Sequence, residues 1–420
     1  MANACGVDFG TSNSTVGLIN PGQPVLLALE DGKPTLPSVV FFNADDEQVS
    51  FGRAALADYL AGYEGRLMRS LKSLLGTSLI DGQTEVGGRA LPFRMLLGHF
   101  IGEVKRRGEH AAGHSFNSAV FGRPVFFIDD NAAADRLAEA TLAEVARAAG
   151  FKHVAFQYEP IAAAFDYESR ITREELVLIA DIGGGTSDFS LVRLGPDRAG
   201  KIERRDDILA TGGVHIGGTD FDKYLSLASV MPLLGYGSRM SNSSEIPSSY
   251  YFNLATWHTI NLAYTKKTWT QLADVARDAC EPEKLGRLQH LIEQRAGHWL
   301  AMKVEEGKIA LSDAPSAPLL LDRLSPPHTV TLQRHEFDAA IGHMIDAIDQ
   351  TVLKLLADAG VAASAVDTVF FTGGSSGVIA LRERIGALLP SAQKVEGDMF
   401  GSIGAGLAID AARKFGPGAA

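Results

Sequence analysis

The chain has 420 residues, 46% of them hydrophobic and 21% charged, with a formal net charge of −11. That length exceeds what one hydrophobic core serves and predicts two large lobes, while the composition excludes the disordered and fibrous classes. The acidic balance argues against nucleic-acid binding, which needs a basic face; two cysteines, Cys5 and Cys280, exclude a disulfide framework and fit a reducing compartment.

No charged-then-apolar leader precedes the first expected strand, and no apolar run approaches the ~20 residues of a membrane span. The expectation is a soluble cytoplasmic protein with neither nucleic-acid nor membrane partners. Residues 4–19 read as two short strands about a polar turn, Gly10, Thr11, Ser12 and Asn13. Residues 39–42 predict another strand, after Pro34 and Pro37. Over residues 53–75 the apolar spacing is helical, with Leu56, Tyr59, Leu60 and Tyr63 on one stripe. A polar hairpin-like stretch leads to a helix near residues 95–107, whose Lys105-Arg106-Arg107 reads as a solvated face. The Val- and Phe-rich run 119–128 predicts a buried strand, and alanine-rich 132–149 a helix closed by Gly150. The pattern then restarts: a strand at 176–180, a turn at Gly183-Gly184-Gly185, a strand at 189–194. Residues 224–311 read as mostly helical, broken by a Ser/Gly/Pro-rich excursion at 235–249. A strand at 366–371, a loop Gly373-Gly374-Ser375-Ser376-Gly377, a helix at 378–389 and a last helix at 403–414 complete the chain.

Alternating strands and helices predict α/β layers. Within them one device occurs twice, as Asp8-Phe9-Gly10-Thr11 and as Asp181-Ile182-Gly183-Gly184-Gly185-Thr186. Each is a strand, an aspartate, a glycine turn, a hydroxyl residue and a second strand, which suggests two similar lobes facing each other. Glycines let backbone N–H groups approach a polyphosphate, and the carboxylate holds hydrated Mg²⁺. Other phosphate devices are excluded. A Walker loop needs Ser or Thr after Gly-Lys, but Gly32-Lys33 precedes Pro34 and Gly307-Lys308 precedes Ile309. A dinucleotide loop opens a helix, whereas Phe189-Ser190-Leu191-Val192 continues as strand.

Residues 6–14 resemble the first phosphate motif of the DnaK-type seventy-kilodalton heat-shock chaperones, and residues 180–188 the second. Further likenesses follow in that family's order: Leu71-Lys72-Ser73-Leu74-Leu75-Gly76, Tyr158-Glu159-Pro160-Ile161-Ala162-Ala163-Ala164, Gly217-Gly218-Thr219-Asp220-Phe221-Asp222, Glu305 with Lys308, and Thr372-Gly373-Gly374-Ser375. Residues around Gly122-Arg123-Pro124 and Glu281-Pro282 are similar to short bacterial members of the family. The resemblance implies an actin/hexokinase-like ATPase fold, with lobes at 1–172 and 173–420, insertions near 33–104 and 223–312, and no C-terminal peptide-binding domain. It implies ATP or ADP with Mg²⁺, bound by Gly10, Thr11, Ser12, Asn13, Gly183, Gly184, Gly185, Thr186, Gly217, Gly218, Glu305, Lys308, Gly373, Gly374, Ser375 and Asp398. Asp8, Asp181 and Asp188 are then the metal carboxylates, and Lys72, Glu159, Asp181 and Thr186 the catalytic residues. Lys72 by itself reads as an exposed helix lysine, and Asp188 as holding water, a monovalent cation such as K⁺, or a turn.

Two departures stand out. The family holds adenine between two arginines, where this chain has Ile309 and Gly377, and its peptide-binding half would follow the last helix, which here runs into residues 413–420. The expected function is slow ATP hydrolysis in a chaperone-like role, with a co-chaperone or nucleotide-exchange factor as partner. A small-molecule kinase of the same superfamily is the alternative, followed by a nucleotide sensor without turnover.

Overall fold

The computed structural model describes residues 3–44, 48–86, 89–128, 131–398 and 401–416, so residues 417–420 of the expected tail lie outside it. Two sheets dominate. In the first, the order across the sheet is His153–Tyr158, Ser118–Arg123, Ala4–Phe9, Asn13–Ile19, Pro24–Leu26. In the second it is Gln393–Glu396, Thr368–Thr372, Glu175–Ile182, Ser187–Leu194, Ile208–Val214. The two orders are the same: a first strand, its antiparallel hairpin partner on one side, and two parallel strands on the other. The repeat read from two short motifs thus extends to whole sheets.

Helices supply the crossovers that parallel strands require. Phe93–Ala112 and Ala132–Ala148 serve the first sheet, and Arg334–Asp358 and Ile379–Leu388 the second. The central strands carry side chains buried on both faces, as in Cys5, Val7 and Phe9, or Leu178, Ile179 and Ala180, which is why they read as near-continuous apolar runs. Each sheet's last parallel strand leads toward a helix, Glu159–Glu168 in one case and Ser402–Phe415 in the other. These two helices cross at a contact only glycine permits. A Cβ at Gly406 would lie 1.8 Å from the Ala162 carbonyl oxygen; the same helix also seats on the first strand, where a Cβ at Gly6 would lie 2.3 Å from the Ala408 nitrogen.

Some expected elements change. Only Gly52–Leu60 of the segment 53–75 is α-helical; Gly62 takes φ +88°, and Gly65–Arg69 becomes a strand antiparallel to Val39–Asn43. A pairing edge thus overrides the helical spacing. The strand expected over 119–128 stops at Arg123, because Pro124 has no N–H to extend a ladder. No element is read from the sequence between 312 and 365, yet a hairpin (Ser316–Leu321 with His328–Gln333) and the 25-residue helix Arg334–Asp358 form there. Segment 224–311 is mostly helical as expected, and the excursion at 235–249 is anchored by buried Ser238 and Ile246. The basic run is paired with acids on its own helix: Lys105 with Glu109, and Arg106 and Arg107 with Glu103. Among the described residues no helix is long and apolar enough to cross a membrane.

Two glycine substitutions should move stability in opposite directions. Gly406→Ala forces the crossing helices apart and should cost at least about 2 kcal/mol. Gly286, inside the helix Pro282–Glu293, has nothing within 4 Å of its would-be Cβ, and Gly286→Ala should stabilise by about 0.5–1 kcal/mol. Urea titrations of the two variants against wild type would read both signs.

Candidate functional site

In open α/β sheets, ligands bind beyond the carboxyl ends of the strands. Those ends carry the candidate residues. Asp8 is the penultimate residue of Ala4–Phe9, and Asp181 the penultimate residue of Glu175–Ile182. Glu159 follows His153–Tyr158 and opens a helix, with Pro160 in its first turn. Gly373, Gly374 and Ser375 follow Thr368–Thr372, and Asp398 stands two residues past Gln393–Glu396, beside Gly401.

Backbone packing brings the loops together. The first turn is tight, since a Cβ at Gly10 would fall 2.3 Å from the Asn13 carbonyl oxygen. The Ser38 hydroxyl donates to the Gly10 carbonyl at 2.7 Å, and its N–H donates to the Ser12 carbonyl at 2.9 Å. Ser12 reaches the second loop: a Cβ at Gly184 would lie 2.3 Å from its hydroxyl oxygen. Gly217 is layered on the same loop, 2.7 Å from the Gly185 nitrogen by the same measure. The Gly218 and Thr219 N–H groups donate to the Gly183 and Gly184 carbonyls at 3.0 and 2.8 Å. Gly185 itself borders open space, with nothing within 4 Å of a would-be Cβ.

The third loop docks alongside. The Ser375 N–H donates to the Ile182 carbonyl at 2.9 Å, and Gly373, at φ +85°, leaves only 2.4 Å between its would-be Cβ and Asp181 Oδ1. A Cβ at Gly218 would touch Ser375 Oγ at 2.2 Å and Lys308 Nζ at 3.2 Å. Lys308 lies on the helix Gly297–Asp313, one turn after Glu305; its Nζ pairs with Asp222 Oδ1 at 2.8 Å and donates to the Gly218 carbonyl at 3.1 Å. Thr186 Oγ1 donates to Asp188 Oδ2 at 2.7 Å.

Lys72 is not the exposed helix lysine that its immediate neighbours suggest. It sits on the 3₁₀ turn Leu71–Leu74 with its Nζ 2.6 Å from Glu159 Oε1, both side chains largely buried. Burial alone would lower its ammonium, but Glu159, Asp8 and Asp181 more than reverse that and raise it. Burial, then Glu159, pushes Asp8 up to about 7, Lys72 opposing. Burial, then Asp188, Glu159 and Asp8, pushes Asp181 up to about 8. One lysine thus stands among four carboxylates, an excess of negative charge that suits a cation. Among the described residues no three His, Cys, Asp or Glu form a cage for a bare ion.

One group of residues at this cleft escaped the sequence. The Tyr59 hydroxyl meets His298 Nδ1 at 2.9 Å and Asn261 Oδ1 at 3.2 Å. The His298 ring stands edge-on to Tyr59 and Trp257, and the Arg69 guanidinium lies 4.1 Å over Trp257. Tyr59 and His298 are 239 positions apart, so no local pattern could join them. Arg69 and Asp222 also feel the charge of Glu305.

The family model for the Hsp70 protein matches residues 4–99, 83–230 and 281–413. A curated relative, the chaperone protein DnaK of Mycoplasmopsis agalactiae, is 24% identical over 393 residues, covering 91% of this chain and 54% of its own length. The chain therefore spans about half the length of that relative.

The raised carboxylates set a pH dependence. Asp8 and Asp181 keep in the fold a proton that the unfolded chain releases near 3.8. Without nucleotide or divalent cation, stability should therefore be greatest below about pH 4 as far as these two groups are concerned, and fall as pH rises toward about 8. Asp181→Asn removes one share of that loss. Denaturant titrations at pH 5 and 8.5 should show the variant gaining on wild type as pH rises; parallel curves would contradict it.

Proposed function

The chain belongs to the Hsp70 family and carries its actin-like ATPase fold, and from that premise we propose that it binds ATP and ADP with magnesium and hydrolyses ATP slowly. Nucleotide state then sets the closure of two lobes, residues 1–172 and 173–420, with insertions near 33–104 and 223–312. The reading extends to a chaperone-like role in the cytoplasm, with a co-chaperone or exchange factor reading the closure. The relative that matches over 91% of this chain is a chaperone by name.

The observation that carries the reading is the buried Lys72–Glu159 pair, set among Asp8 and Asp181 where two glycine loops touch. Backbone N–H groups around Gly10–Asn13 and Gly183–Gly185 would bind phosphate oxygens, and the open space at Gly185 leaves room for them. Magnesium would supply charge neutralisation between the phosphates and the carboxylates of Asp8, Asp181 and Asp188. Lys72 stays protonated because three carboxylates favour its charge, and Glu159 holds its ammonium in place. It can then stabilise charge developing on the terminal phosphate. Asp181 and Thr186 would orient the attacking water. Glu305 and Lys308, beside the Gly217-Gly218 and Gly373–Ser375 loops, would hold the nucleoside.

Phosphate released from ATP should go to water rather than to a small metabolite, which product analysis reads directly. Lys72→Ala should lower turnover by ~10²–10³, the scale of one positioned electrostatic donor, with nucleotide affinity little changed. Asp8→Asn and Asp181→Asn should each abolish magnesium-dependent hydrolysis while the fold survives. Turnover at the wild-type rate in any of the three would remove the catalytic assignment.

A further inference from the structure

The two positions where resembling chaperones carry adenine-holding arginines are Ile309 and Gly377 here, and Ile309 is 55% exposed. The structure brings a different guanidinium to the cleft from the other side. Arg69 ends the strand Gly65–Arg69 and is followed by Ser70, a non-glycine residue at φ 57°, in the left-handed region that side chains disfavour. That turn separates two cations with different destinations. Lys72 goes to Glu159, while Arg69 goes over Trp257 with its carbon 4.1 Å from the ring centre. Among the described residues no carboxylate forms an ion pair with Arg69, although Glu305, Asp222 and His298 all feel its charge.

The platform belongs to the opposite half of the molecule. Trp257 and Asn261 lie within residues 231–280, which the Hsp70 family model does not match. The platform is also fixed in place: Trp257 packs on His298, and His298 hydrogen-bonds Tyr59, ten residues before Arg69 in the same insertion. A guanidinium has two faces and stacks well on aromatic rings. Trp257 covers one face, and a purine would suit the other.

We propose that Arg69, held on Trp257, covers the nucleoside of the bound nucleotide, taking from the first lobe the stacking role that Ile309 and Gly377 do not fill in the second. This rests on the nucleotide-binding reading above. It makes Arg69 an affinity-determining contact for a nucleoside di- or triphosphate that acts on the base rather than on the phosphates.

The test is calorimetric titration of the full chain with ADP and with pyrophosphate, both with magnesium, in wild type, Arg69→Ala and Arg69→Lys. Arg69→Ala should weaken ADP about tenfold, and Arg69→Lys, which keeps the charge but not the plane, about fivefold, with pyrophosphate unchanged within twofold. The lysine variant carries the test if the alanine variant does not fold. ADP affinity equal to wild type in the folded variants overturns the proposal. So does an equal loss for ADP and pyrophosphate, which would make Arg69 a charge for phosphates. Failure of wild type to bind either ATP or ADP would overturn the nucleotide reading itself, and is seen before any variant is compared.

Discussion

Four carboxylates and one ammonium meet where the two sheets face each other, and most of the molecule can be understood from that imbalance. Asp8 and Glu159 come from the first half of the chain, Asp181 and Asp188 from the second. Bringing the halves together therefore concentrates like charge, which burial makes worse; the raised protonation of Asp8 and Asp181 is the direct expression of it. Lys72 offsets one charge and is itself gripped by Glu159 at 2.6 Å. What remains is an excess of negative charge, held between residues of both halves.

Glycine makes the meeting possible. Gly184, Gly217, Gly218 and Gly373 each stand where a Cβ would come closer than 3 Å to another loop or carboxylate. Their value here is less conformational freedom than thinness, since three layers of backbone stack within contact distance and leave room beside Gly185. Lys308 and Ser375 close the far side of the same stack, so the helix Gly297–Asp313 and the three glycine loops are parts of one packed unit.

Local devices were legible in the sequence. An aspartate before a glycine turn between two apolar runs can be read without a structure, and both copies of that device are where they were expected. The closing helix, the alanine-rich helix and the third glycine loop were legible for the same reason. The segment 53–75 was misread because its apolar spacing fits a helix, while its fate was decided by a partner strand, Val39–Asn43, that spacing does not reveal. That error also hid Arg69, since a residue within a supposed helix gives no hint of facing Trp257. The Tyr59–His298 contact joins residues 239 positions apart and exists only in three dimensions. The order of the motifs carried more information than any one of them, which is why Lys72 could be singled out although its neighbourhood looks ordinary.

The crossing of Glu159–Glu168 with Ser402–Phe415 fixes how the two halves are joined. With Gly406 against the Ala162 carbonyl, and Gly6 of the first strand against Ala408, the helix Ser402–Phe415 has no slack to slide along either neighbour; a one-residue shift would drive a side chain into backbone. The crossing therefore holds the closing helix in one register against both the first strand and the helix Glu159–Glu168. Asp8, two residues from Gly6, is on the same anchored strand, so the closing helix and that carboxylate share one support.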